Sequence, residues 1–328
     1  MSAPESISEK GLARRYGIAA ITLIANNYVF ARMMSVLVSA AVSVFPNSAE
    51  LADRSTDAGY LVFMLFNEVC AYAFPLAVYA FLFRSCEAAP DASGYKRFFG
   101  ETPMLFVTGW FFAWVGSRVT TYISAFLGSL FGVPPTKLAF SSSMPKNAFM
   151  FTVFVVCTCV IAPVCEELIY RKLLLTPMRK YSDSAAALIT ALLFALSHFN
   201  FSQFLYTFAF GYFLAVIAIR SRSVIPCIIC HILNNLTAGI SSYLPETLGN
   251  ETADQVFKGI FSALEAATPY IFIVAIPVTS ATLLLRLYRL HDNDGSTLTK
   301  RLALIFTEPV FLVSSAAILV ITFIKLYT

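Results

Sequence analysis

Long apolar stretches recur along the whole chain and are separated by shorter polar segments. A helix that crosses a bilayer needs about 20 consecutive apolar residues. Nine segments come close to that length or exceed it: 16–46, 60–84, 104–131, 148–175, 184–199, 203–220, 224–243, 269–289 and 304–327. The pattern predicts an all-α fold, namely a polytopic transmembrane helix bundle with eight to nine spans.

Three of these segments differ from the rest. The fifth and the sixth are short, which is typical of helices held inside a bundle. The first is long and carries Asn26, Asn27 and Arg32 within its apolar run. Polar side chains of this kind are costly in lipid, so we expect the first helix to tilt or break there.

The amino-acid composition indicates the same surroundings. Hydrophobic residues make up 58% of the chain and charged residues 13%, whereas a soluble domain has about 45–50% apolar and about 25% charged residues. This balance excludes a disordered chain and disfavours a soluble globular domain. We therefore predict an integral multi-pass protein of the lipid bilayer, in the cell membrane of a bacterium or the endoplasmic reticulum membrane of a eukaryote.

Charge and cysteine content narrow the range of partners. The net charge of +4 is small and dispersed along the chain, so no nucleic-acid partner is predicted. Six of the seven cysteines lie in apolar stretches, and only Cys86 lies in a polar segment. This placement is not that of a disulfide framework.

The basic residues predict the orientation of the bundle. With nine spans and a cytoplasmic N-terminus, 16 Lys and Arg residues fall in cytoplasmic segments and 5 in outer segments, while Arg32 and Arg118 lie within spans. Positive residues accumulate on the cytoplasmic side of membrane proteins, so we predict this orientation, with the C-terminus outside. Eight spans with one re-entrant or interfacial segment are the alternative.

The fourth segment carries two adjacent glutamates in a mostly apolar stretch. Glu167 and Arg171 are four residues apart in the favourable acid-before-base order, so they face each other on one helix as an ion pair. Glu166 is rotated by about 100° from Glu167 and has no cation four residues on, which makes it the candidate general base. The alternative is that both glutamates lie in the headgroup region beside Arg171 and Lys172 and end the helix there.

Histidines lie in the fifth and seventh segments. His231 and Asn235 are four residues apart on one helix face, where two donors can hold an oxyanion or orient a water molecule. A hydrogen bond between two helices is the alternative for this pair, and an interfacial position is the alternative for His198. Helix lengths place these residues at depths comparable to that of Glu166, so we expect one polar cluster inside the membrane.

Three motifs thus follow one another on separate predicted spans. They read Glu-Glu-x-x-x-Arg at Glu166–Arg171, Phe-x-x-x-His at Phe194–His198 and His-x-x-x-Asn at His231–Asn235. In this order they resemble the CPBP family, which comprises CAAX prenyl proteases of the second type and bacteriocin-processing proteins and is also called Abi. The chain departs from the family pattern at no motif position.

The resemblance implies an intramembrane glutamic endopeptidase. By analogy, Glu166 activates a water molecule with the help of His198, and His231 and Asn235 stabilise the oxyanion of the tetrahedral intermediate. The second glutamate and the arginine fit the structural pair derived above. The implied reaction needs no cofactor and no metal, and its substrate is a membrane protein or peptide that is lipidated or bears a leader.

The resemblance also divides the chain into three predicted parts. We expect N-terminal transmembrane segments in 1–147, the CPBP catalytic core with four spans in 148–243, and a loop with two further spans in 244–328. The stretch 243–268 is the longest polar loop after the middle of the chain, and it separates the core from the last two spans.

A zinc-dependent intramembrane protease is one alternative. Glu166, His198 and His231 would supply three ligands to a zinc ion with an open fourth position. The paired histidines of the H-E-x-x-H zinc motif are absent from the sequence.

A non-enzymatic immunity or transport protein is the other alternative. Glu68, Arg118 and Glu308 are charges inside predicted spans, and such charges can line a pathway. The simpler interpretation is an ion pair between Glu68 and Arg118, on the second and third spans.

Overall fold

The fold is all-helical in the part of the chain that the structure, a computed structural model, describes. The described residues are 8–44, 49–84, 95–131, 145–248 and 298–327, with scattered positions between 255 and 270. Within these ranges the chain forms α-helices and three π-helical segments and no β-strand, which confirms the predicted fold class. Numbered along the chain, the elements are α1 (Glu9–Ala25), π1 (Asn26–Phe30), α2 (Ala31–Val44), α3 (Ala49–Ala52), α4 (Asp57–Phe83), α5 (Tyr95–Phe131), α6 (Ala148–Phe154), π2 (Val155–Ile161), α7 (Ala162–Glu167), π3 (Leu168–Leu174), α8 (Leu175–Arg179), α9 (Asp183–Ser197), α10 (Phe201–Ser221), α11 (Ile225–Leu248), α12 (Leu298–Phe306) and α13 (Pro309–Tyr327).

Several of the described helices are long and apolar enough to cross a membrane. Four meet this condition: Glu9–Ala41, Asp57–Phe83, Ala148–Arg179 and Gln203–Ser221. The bent pair of α12 and α13 makes a fifth if it is one span, and α9 and the first part of α11 are apolar but shorter. The chain is therefore an integral multi-pass membrane protein, as predicted. The predicted segment 269–289 lies outside the described residues, so the count of eight to nine spans and the orientation stay predictions.

The centre of the bundle lies along α10, which packs against α5 on one side and α9 on the other. α5 and α10 approach closely at two glycines. A Cβ atom at Gly109 would lie 2.7 Å from Cβ of Phe213, and one at Gly116 would lie 2.9 Å from the carbonyl group of Leu205. Small residues let membrane helices meet in this way, and the contact fixes the position of α10.

A sharp turn joins α9 to α10. Asn200 is the N-cap of α10, and its side chain accepts a hydrogen bond from the amide of Gln203 at 3.3 Å. Phe199, just before it, has a φ of 45° in the left-handed region, which stops the α9 helix. The turn leaves His198 as the C-cap of α9, directly after its last residue.

Pro163 leaves one backbone carbonyl group without a hydrogen bond inside its own helix, and a side chain of a neighbouring helix supplies that bond. At the end of π2 the amide of Ala162 donates to the carbonyl of Cys157, and proline has no N–H group. The carbonyl of Thr158 therefore lacks a helical donor four or five residues on. Nδ2 of Asn235, on α11, donates to it at 3.1 Å. This bond ties α11 to the helix that carries the two glutamates.

The same arrangement recurs at Pro75 in α4. The missing amide of Pro75 leaves the carbonyl of Ala71 without its usual helical donor, and Nδ2 of Asn26 donates to that carbonyl at 3.3 Å. Asn26 begins π1, so the first helix changes from α to π geometry where its polar residues Asn26 and Asn27 lie. It continues through this segment instead of breaking.

The last predicted segment, 304–327, belongs to a bent pair of helices. α12 and α13 meet at an angle of 77°. Pro309 begins α13, and the carboxylate of Glu308 accepts a hydrogen bond from the amide of Phe311 at 2.8 Å. Glu308, a charge within a predicted span, thus caps a helix.

Candidate active site

A cavity of about 440 Å³ lies between α4, α6, π2, α7, α9, α10 and α11. Two glutamates and two histidines line it, namely Glu68, Glu166, His198 and His231, and Asn235 lines it as well. All four residues that the sequence predicts as catalytic therefore reach one cavity. The structure forms the polar cluster expected from their depths.

Glu166 contacts side chains of two other helices. The hydroxyl of Tyr72, on α4, donates a hydrogen bond to its Oε1 at 2.8 Å. Nε2 of His231, on α11, lies 3.5 Å from its Oε2. The Glu166 side chain is 16% exposed and lines the cavity. It is thus held in place but still accessible to a molecule in the cavity.

Glu167 and Arg171 form the ion pair predicted from their spacing. Nε of Arg171 lies 3.0 Å from Oε2 of Glu167, and both side chains are fully buried. The two groups are close but poorly aligned, and the guanidinium nitrogens have no hydrogen-bond partner among the described residues. Instead, the guanidinium carbon lies 5.2 Å from the ring centre of Phe194. The other oxygen of Glu167 contacts Nδ1 of His231 at 2.9 Å, so Glu167 joins Arg171 to His231.

The partners of the two histidines determine which ring nitrogen carries a proton. A carboxylate and a carbonyl oxygen only accept hydrogen bonds. His231 therefore donates from Nδ1 to Glu167, and His198 donates from Nδ1 to the carbonyl of Phe194 at 2.8 Å. In a neutral ring, Nε2 then has a lone pair and accepts. A second proton on His231 makes its Nε2 a donor.

Asn235 reaches the cavity with its amide group anchored. Its Nδ2 donates to Thr158, and its Oδ1 accepts from Nδ2 of Asn234 at 3.1 Å. Asn234 in turn donates to the hydroxyl of Tyr206 at 2.6 Å. A side-chain amide has two N–H donors, and the bond to Thr158 uses one of them.

A second cavity, of about 230 Å³, meets the first at the same residues. Asn67, Tyr72, Glu166 and His198 line both cavities. Further polar side chains of the smaller cavity include Asn26, Asn27, Tyr170 and Ser197. Glu166 and His198 therefore lie where two spaces inside the bundle adjoin.

The sequence analysis did not identify Tyr72 as a site residue. It predicted either that Glu68 pairs with Arg118 or that it lines a transport pathway. The available signal was their spacing, because Glu68 and Tyr72 are four residues apart and therefore share one face of the largely apolar α4. The structure places Glu68 on the cavity wall. Arg118, the predicted partner of Glu68, contacts an aromatic ring: its guanidinium carbon lies 5.6 Å from the ring centre of Trp114. Both cavity residues come from the predicted N-terminal part of the chain, outside the motifs.

The zinc alternative requires Glu166, His198 and His231 to surround one point. All three line the larger cavity. Among the described residues, however, no group of three or more His, Cys, Asp or Glu side chains is placed to hold a metal ion.

Comparison with known families agrees with the motifs. Residues 148–237 match the family model described as Type II CAAX prenyl endopeptidase Rce1-like. The matched stretch contains the three motifs, which agrees with their resemblance to the CPBP family. The match supports a CAAX-type protease within the membrane, which is a peptide hydrolase. No curated protein and no solved structure matches the chain.

Proposed function

We propose that this protein is an intramembrane endopeptidase in which Glu166 activates a water molecule. The position of Glu166 supports this proposal, because its carboxylate lies between Tyr72 and His231 on the wall of the larger cavity. A carboxylate in that position takes a proton from a water molecule as a general base. His198 lines the same cavity and has its lone pair on Nε2. We therefore assign it to orient the same water.

The activated water adds to the carbonyl carbon of a peptide bond. The carbonyl oxygen becomes an oxyanion, and hydrogen-bond donors stabilise it most effectively where water is scarce. We assign Nε2 of the protonated His231 ring and the remaining N–H of Asn235 as these donors. Glu167 stabilises the positive ring through its contact with Nδ1, and Arg171 balances the charge of Glu167.

We propose a membrane-associated protein or peptide as the substrate, either lipidated or bearing a leader. A prenylated CAAX segment is the first candidate, because the matched family model describes CAAX prenyl endopeptidases. Apolar side chains on the wall of the larger cavity suit such a ligand, among them Phe63, Met64, Phe154 and Phe210. The catalytic core then comprises 148–243 together with the face of α4 that carries Tyr72.

A cleavage assay on the purified protein in detergent tests the proposal. A farnesylated CAAX peptide with a fluorophore and a quencher on either side of the scissile bond reports turnover, and an unbiased peptide library reports other substrates. Glu166→Gln keeps the size of the side chain and should lower kcat by about 10²-fold or more. Glu308→Gln makes the same chemical change outside the cavity and should leave kcat at the wild-type value. Cleavage by Glu166→Gln at the wild-type rate would contradict the proposal.

The same assay separates the glutamic from the zinc mechanism. The proposed chemistry uses only side chains of the protein, with no metal and no cofactor, so turnover should be insensitive to phenanthroline. Complete loss of activity with the chelator, restored by added zinc, would support the zinc alternative instead.

A further inference from the structure

Glu68 of α4 is a second carboxyl group on the wall of the larger cavity. The residue is only 8% exposed, and it lines the cavity together with Glu166. Its Oε2 is buried and has no hydrogen-bond partner among the residues that the structure describes. Tyr72, which donates to Glu166, lies four residues along the same helix, so Glu68 shares a helix face with it. The reaction steps proposed above do not use this group.

The charges around the cavity indicate which carboxyl group keeps a proton. Within the described part of the chain no Lys or Arg lines the cavity, and Arg171 is buried against Glu167. Two carboxylates at one cavity inside a bilayer would leave negative charge unbalanced, which is costly. Glu166 accepts a hydrogen bond from Tyr72 and lies beside His231. Glu68 has no such donor at Oε2 and is the group that stays protonated.

We propose that Glu68 is the general acid of this site and gives its carboxyl proton to the nitrogen of the leaving amine. This role rests on the proposed function, because it completes the hydrolysis that Glu166 begins. An amide nitrogen leaves poorly as an anion, so collapse of the tetrahedral intermediate needs a proton donor within hydrogen-bond reach. Glu68 supplies the donor from α4, while Glu166 acts from α7.

Bonds and protons balance over one turnover. Glu166 takes a proton from water as the water oxygen bonds to the carbonyl carbon. The C–N bond then breaks, its electron pair stays on nitrogen, and the nitrogen takes the proton of Glu68. This leaves Glu166 protonated and Glu68 ionised. Transfer of one proton from Glu166 to Glu68 through the shared cavity restores both groups.

Two matched substrates distinguish a general acid from a residue that only supports the fold. A thiolate leaves without being protonated, so a thioester in place of the scissile amide of the farnesylated peptide removes the need for an acid. Glu68→Gln should lower kcat by about 10²-fold on the amide and by less than about threefold on the thioester. Glu166→Gln should lower kcat on both substrates, since both need an activated water. Glu308→Gln should change neither rate.

The remaining outcomes are decisive. If Glu68→Gln lowers both rates equally, or neither, Glu68 is not the general acid. If Glu166→Gln cleaves both substrates at the wild-type rate, the proposed function itself fails, and this result is distinct from the first.

A second pair of variants keeps the test valid if Glu68→Gln folds poorly in a thermal melt. Glu68→Asp and Glu68→Asn have the same size, and only the first retains an acidic proton. The ratio of the amide rate to the thioester rate should be higher for Glu68→Asp. Equal ratios for the two variants would overturn the proposal.

Discussion

Glu166 and Glu167 are adjacent in the chain but lie in different surroundings. Glu166 is partly exposed and faces the cavity, with a neutral tyrosine hydroxyl as its hydrogen-bond donor. Glu167 is fully buried between Arg171 and His231. Helix geometry separates neighbouring side chains by about 100°, which is enough to turn one carboxylate toward the cavity and the other toward a buried partner.

Replacing Glu167 should therefore damage stability before it damages chemistry. Glu167→Gln leaves Arg171 as a buried charge without its partner, and breaking a buried ion pair typically costs about 3–5 kcal/mol of the free energy of unfolding. The variant should melt at a lower temperature in detergent, whereas Glu166→Gln should melt like the wild type. Adding Arg171→Met to Glu167→Gln should recover part of the loss. A stable but inactive Glu167→Gln beside a normally active Glu166→Gln would reverse the two assignments.

The hydroxyl of Tyr72 should tune the reactivity of Glu166. Tyr72→Phe removes the hydrogen bond to the carboxylate, and a bond to a charged group is worth about 1.5–3 kcal/mol. We expect kcat/KM on the farnesylated peptide to fall by about tenfold with little change in melting temperature. Tyr79→Phe is the matched control, because that hydroxyl donates to the backbone of Ala19 at 2.9 Å and lies outside both cavities. Equal activity of the two variants would argue against a role for Tyr72.

At the scale of the elements, apolar length predicts where helices lie but not how they are wound. Segments 60–84 and 148–175 correspond closely to α4 and to the long helix from α6 to α8. The π segments were not predicted, because apolar length does not specify how a helix is wound. Two side-chain bonds from distant parts of the chain accompany this winding: Asn235 of α11 donates to the carbonyl of Thr158 in π2, and Asn26 of π1 donates to the carbonyl of Ala71 in α4. The Glu167–Arg171 pair, in contrast, was predictable from local spacing, because the two residues lie four positions apart on one helix.

The winding around Pro163 should matter for activity. Pro163→Ala restores an N–H group that can donate to the carbonyl of Thr158, in competition with Asn235. A proline inside a helix costs about 3 kcal/mol relative to alanine, so the variant should be at least as stable as the wild type. It should nevertheless lose about tenfold in kcat, since one misplaced oxyanion donor has that order of effect or more.

The control for this change is Pro103→Ala in α5, a helix that does not line the larger cavity. It should leave the rate unchanged. If Pro163→Ala cleaves the farnesylated peptide as fast as Pro103→Ala, the anchoring of Asn235 has no catalytic role.

At the scale of the whole molecule, the cavity needs more than the region that matches the family. The motifs lie within 148–237, but α4 supplies Tyr72 and Glu68. The sequence predicted the depth of the motif residues from helix lengths. It did not predict the contribution of α4, because that depends on which helices pack side by side, and no local pattern encodes this contact.

The predicted orientation can be tested at the two ends of the helix that carries the glutamates. Lys146 precedes α6 and Lys180 follows α8, and both are exposed. With a cytoplasmic N-terminus, Lys146→Cys should react with an impermeant thiol reagent on intact cells, and Lys180→Cys only after permeabilisation. The background protein carries Cys86→Ser. The reverse labelling pattern would overturn the predicted topology.

Hydrolysis consumes water, and a bilayer supplies almost none. The smaller cavity has a volume of about 230 Å³, which is room for several water molecules at about 30 Å³ each. Asn26, Asn27 and Ser197 give such molecules hydrogen-bonding partners, and the space adjoins Glu166 and His198. Under the proposed function, the smaller cavity would supply water to Glu166 while a lipid chain occupies the larger cavity.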